Sequence, residues 1–166
     1  MITSTYTGSI TLYSSDSGFP GPKTVPGHFN LRFSDDLKSV EVIDFEPVVI
    51  DDIDAPIGKA RLTASLSGKS TGTFDPATGA LIISAKFRFK LSVPLVPPAL
   101  LAPSILALKL TTTQATMPAG GIEKGQPVAA GTGSFRLVAA GVFKGGKLDQ
   151  VTCGVILDGS LTPAPI

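Results

Sequence analysis

Between Ala80 and Val93 the chain alternates with a period of two, and nothing else in it constrains the fold as strongly. Ile83, Ala85, Phe87, Phe89, Leu91 and Val93 are apolar, and Ser84, Lys86, Arg88, Lys90 and Ser92 stand between them. A period of two is the repeat of an extended strand with one buried face and one wet face. Just ahead of it, Gly72 to Gly79 holds Asp75, Pro76 and Gly79 at the positions a tight connection wants, since Pro presets φ and Gly accepts φ > 0. The pattern therefore predicts a hairpin joining roughly residues 60–74 to 80–93.

The same alternation returns twice. Phe29, Leu31 and Phe33 alternate with His28, Asn30 and Arg32, then Ser34-Asp35-Asp36 forms a turn before Val40 and Val42. Phe135, Leu137 and Ala139 lead through Phe143 and the Lys144 to Lys147 turn to Val151, Cys153, Val155 and Leu157. Ile10, Leu12 and residues 104–112 add further strands, and no ten-residue window has helical period. The expectation is one all-β domain over residues 1–166, an antiparallel, hairpin-connected barrel of about eight or nine strands. A β-sandwich is the alternative, since both arrangements satisfy sheet edges. The glycines available for corners favour the barrel.

Residues 91–103, LSVPLVPPALLAP, interrupt this regularity. They are almost wholly apolar, yet four prolines forbid a helix or an interior strand over most of their length. The segment reads as a strand terminator followed by a stiff apolar connection to the strand near Ser104.

Composition narrows the function classes. Fourteen basic residues against 13 acidic ones leave a net charge of +1, which gives no overall field to attract a polyanion, so nucleic acid is not an expected partner. No uninterrupted apolar run is long enough for a spanning helix. The N-terminus lacks the basic and apolar regions of a secretory signal, and a soluble chain of unassigned compartment is expected, a processed secreted form included. With one cysteine and one histidine, the chain has no internal disulfide and none of the usual zinc ligand sets. Cys153 falls on the apolar phase and reads as core, His28 on the polar phase and reads as exposed. Trp is absent, which removes the Gly-x-Trp opening strand of lipocalin-type barrels and argues against carbohydrate platforms.

Three functional readings remain. The first is a binding module holding an apolar small molecule in the barrel interior or mouth, lined by Phe45, Phe87 and Phe89 and by Leu95, Val96, Leu100 and Leu101 of the Pro-rich segment. The second is an assembly role in which that apolar segment forms a homo-oligomer interface. The third is a cofactor-free barrel enzyme of cyclase or isomerase type, and for it Asp44 and Glu46 beside Phe45 are the acid and base candidates, because a phase shift there suggests a bulge that re-aims side chains. No cofactor is called for. No metal site is expected, although Asp51, Asp52 and Asp54 are the residues a hard cation would use.

Overall fold

The computed structural model describes residues 2–14, 22–55, 58–93, 103–113, 115–116, 123–128, 133–144 and 150–163. The strands are β1 (Ile2–Ser14), β2 (Lys23–Phe33), β3 (Ser39–Ile43), β4 (Val48–Ala55), β5 (Gly58–Leu66), β6 (Ser70–Asp75), β7 (Ala80–Ser92), β8 (Ser104–Thr111), β9 (Ala115–Thr116), β10 (Glu123–Lys124), β11 (Gly133–Val142) and β12 (Thr152–Pro163). Neighbours pair in the order β7–β6–β3–β2–β1–β12–β11–β8, and β8 pairs with β7 again. The expected barrel is thus present as a closed antiparallel ring of eight strands. Strands β4 and β5 lie outside the ring, and β9 with β10 forms a separate short hairpin.

Two of the three hairpins read from the sequence are β2–β3 and β11–β12. The one before β7 is divided. The chain runs along β7 twice, first as β5, pairing from Arg61 opposite Ser92 to Leu66 opposite Phe87. It then continues in the same direction as β6, pairing from Thr71 opposite Ser84 to Asp75 opposite Ala80. Gly68, at φ 75°, turns the chain between them, and the Ser67 N–H donates to the Lys86 carbonyl at 2.8 Å where the partner changes. Strand β2 divides its edge in the same way. Its residues Asn30–Phe33 pair with β3, while Glu46 N–H, just ahead of β4, donates to the His28 carbonyl at 3.0 Å. The β4–β5 hairpin consequently continues, toward one end of the barrel, the wall that β3 and β6 form toward the other.

Inward phases supply one core. Tyr6, Leu31, Leu81, Ile83, Phe135, Leu137 and Leu161 are essentially inaccessible. Aromatic rings run through it in file: Phe135 meets Tyr6 edge-on at 5.5 Å, Tyr6 stacks on Phe29 at 4.4 Å, and Phe29 lies 5.9 Å from Phe45. The file continues from Phe45 to Phe87 at 5.9 Å, to Phe89 at 6.3 Å and to Phe143 at 5.5 Å. Each well-oriented pair adds about 0.5–1.5 kcal/mol beyond its buried area.

This filling depends on bare backbone at one place. Gly27, Gly8 and Gly159 are register partners across β2, β1 and β12. A Cβ on Gly8 or on Gly159 would run into the neighbouring strand's backbone and would crowd Tyr6, at its hydroxyl from Gly8 and at its ring from Gly159. Glycine there lets three strands coil closely beneath a large aromatic.

The outward phases are polar, as β7 shows with Ser84, Lys86, Arg88 and Lys90 all exposed. This is the reverse of a lipid-facing barrel wall, which is apolar outside and polar within. No helix among the described residues is long and apolar enough to cross a membrane.

Candidate functional site

At the end of the barrel where β1 and β7 finish and β12 begins, the core opens. Leu12, Ile53, Leu62, Phe89, Leu91, Phe143, Val151 and Cys153 line a mouth of about 70 Å³ to which Tyr13 and Ser14 also contribute. Six strand ends converge there, each placing an inward-phase apolar side chain at the rim, so the lining follows from the same alternation that builds the core. The β4–β5 hairpin contributes Ile53 and Leu62.

Below the mouth the described residues leave little space at the next level of the core. A void of about 10 Å³ lies between Ile10, Leu12, Phe45, Val48, Phe87, Phe89, Val155 and Leu157, among others. Leu12 and Phe89 belong to both linings and form the partition between them. An apolar cavity of about 150 Å³ is enough for benzene, so the mouth, at about 70 Å³, has less room than one such ring needs.

The site has little polar chemistry. The Cys153 thiol faces it, but burial pushes its pKa up to about 12, so it stands as a protonated, unreactive apolar group. The sequence expectation of a core cysteine agrees with its 5% exposure.

The residues singled out from the sequence divide into three groups. Phe87 and Phe89 are buried against the void, and the half-buried Phe45 joins them there. Asp44 and Glu46 stand on the outer surface: the Asp44 carboxylate accepts from Asn30 Nδ2 at 2.9 Å, and Glu46 lies 3.9 Å from the imidazole of His28, both largely exposed. The phase shift near Asp44 is real, since its φ is 53°, but the β-bulge itself falls later, between Ile50 and Ile53. Asp51 is exposed and bound by Arg61 at 2.6 Å. The side chains of Asp52 and Asp54 lie outside the described residues, as do Leu95, Val96, Leu100 and Leu101. Among the described residues no group of three potential ligands is placed to hold a metal ion.

Sequence reasoning did not assemble Leu12, Ile53, Leu62, Phe143 and Val151 into a site. Phe143 and Val151 stood on the correct phase, and only ring closure brings them level with Phe89. Comparison of the chain with protein-family models, with curated proteins and with solved structures finds no match.

Proposed function

We propose that the protein is a binding module that takes the end of a slender apolar group, such as an alkyl chain, at the open end of its barrel. The observation that carries this reading is the mouth itself, an apolar concavity of about 70 Å³ above a void of only about 10 Å³. Each methylene withdrawn from water there contributes about 0.8 kcal/mol. A void of about 10 Å³ below the mouth is too small for more of such a ligand, so the rest of it stays outside the ring.

The absence of Trp from the chain makes a direct test simple. Val142→Trp, at an exposed position beside the mouth-lining Phe143, puts a single indole near the rim without altering its lining, and its emission reads binding of a bromine-labelled fatty acid by quenching. Saturable quenching, competed by unlabelled long-chain alkyl compounds, is the expected result. Linear, non-saturating quenching, together with native mass spectra that never carry an added alkyl ligand, would overturn the reading.

A further inference from the structure

The near-zero net charge conceals two faces of opposite sign. Between residues 55 and 122 lie Arg61, Lys69, Lys86, Arg88, Lys90 and Lys109 together with Lys59, and Asp75 is the sole acid. Residues 35–54 hold eight carboxylates against Lys38. The fold gathers the basic residues on neighbouring strands, because β5, β7 and β8 pair with one another in turn and none contains an acidic residue; β4, with Asp51, borders this group at β5.

Directly paired residues in an antiparallel sheet share a face, so the register lays out the outer surface. Thr63 stands beside Lys90 and Ser65 beside Arg88, which in turn faces Ile105 across β7 and β8. Thr71, Ser84 and Lys109 form a third row. Successive cations on β7 are about 6.7 Å apart at two residues of strand rise. That is less than the screening length of about 8 Å at physiological salt, and their potentials add. Arg61 is engaged by Asp51. Among the described residues no carboxylate pairs with Lys69, Lys86, Arg88, Lys90 or Lys109.

Where β7 changes partner, the surface is concave. A groove of about 470 Å³ is lined by Lys69, Lys86 and Lys109 together with Ser67, Thr71 and Ser84, among others. Three ammonium groups and neighbouring hydroxyls are donors suited to phosphate oxygens. The face then runs along β7 to Lys90, whose neighbours Phe89 and Leu91 line the mouth. Ile105, 56% exposed, stands beside Arg88 as an apolar side chain on the same face.

We propose that the β5–β7–β8 face docks the barrel on an anionic phospholipid bilayer, holding the mouth beside the surface from which an alkyl chain would be drawn. This deepens the reading of the mouth as an alkyl site and rests on it. A single-stranded nucleic acid is the poorer occupant, because such sites stack bases on accessible aromatics and the described phenylalanines are buried or half-buried.

The test is co-sedimentation of the full chain with phosphatidylcholine vesicles and with phosphatidylcholine–phosphatidylglycerol vesicles, at low and high salt. Binding to the anionic vesicles alone, released by salt, is expected. The variant Lys86→Gln/Arg88→Gln/Lys90→Gln, all at outward positions, should lower partitioning roughly a hundredfold, at about fivefold for each cation lost near the surface. Lys109→Gln alone gives a smaller loss in the same direction, and Lys38→Gln on the acidic face gives none. Equal binding to both vesicle types, no binding, or an unaffected triple variant overturns the proposal. So does salt-sensitive self-association without vesicles, which would assign the basic face to the acidic face of a second copy. Quenching of the Val142→Trp reporter in vesicle-free solution separates the two claims: lost docking with retained quenching defeats only the membrane face, and lost quenching with retained docking defeats only the alkyl site.

Discussion

The Tyr6 hydroxyl lies 3.0 Å from the point where a Cβ on Gly8 would stand. The same hydroxyl donates to the Ser9 carbonyl at 2.9 Å, so the phenol is fixed over bare backbone by its own strand. A methyl group on Gly8 would also run into the Asp158 carbonyl oxygen. Gly8→Ala is expected to lower stability by about 1–3 kcal/mol, the usual penalty of overpacking. Tyr6→Phe, which keeps the ring and loses the hydrogen bond, should cost about 1 kcal/mol. Urea denaturation of both variants checks the order.

Alkaline pH should unfold the protein through two buried acids. Burial, and then the Asp158 charge, raise the Tyr6 phenol well above its ordinary 10.0, while burial raises Cys153 from 9.0 to about 12. Above those ordinary values the unfolded chain releases protons that the folded chain keeps. These groups' contribution is therefore complete below about pH 9 and falls as pH rises, by up to about 1.4 kcal/mol per pH unit for each group. Denaturation midpoints measured from pH 8 to 11 should decline, and Cys153→Val should delay the onset toward pH 10.

Phe89 separates the mouth from the inner void, so its removal should join them. Phe89→Ala is expected to cost about 3–5 kcal/mol of stability and, on the proposed alkyl reading, to move the preferred chain to greater length. A chain-length series read by the single-tryptophan reporter measures the second effect, and thermal unfolding the first.

Much of this was legible in the sequence, for a physical reason. A two-residue period directly encodes which side chains face inward, so the phases of Phe29, Phe87, Phe135 and Cys153 followed from their neighbours alone. What the period cannot encode is which strand lies beside which. The split of one edge of β7 between β5 and β6 depends on the turn at Ser67 to Lys69, and the mouth exists because Phe143 and Ile53, distant in sequence, end level with Phe89. The basic face was hidden for another reason: total charge sums over both faces, whereas the acid-free run from Pro76 to Ile122 carried the signal.

Asp44 holds a left-handed backbone conformation with φ 53°, anchored by Asn30. Asp44→Gly should leave stability within about 0.5 kcal/mol, since relief of backbone strain offsets the lost hydrogen bond and the entropy of glycine. Asp44→Val, β-branched at φ > 0, should cost more than about 1 kcal/mol. Guanidinium titrations of the pair measure the backbone contribution without disturbing the apolar interior.

Strand β1 has β2 on one side and β12 on the other, with Ser4 opposite Pro163. One neighbour, β2, comes next in the chain; the other, β12, comes only after β2 to β11 have been made. Until it arrives, the inward face of β1, with Tyr6, Ile10 and Leu12, waits beside an open hydrogen-bonding edge. Pairing over such a sequence separation slows folding, and the interval before closure is when this chain is most exposed to intermolecular strand addition. In a growing polypeptide, protection of that first edge falls to whatever meets the nascent chain.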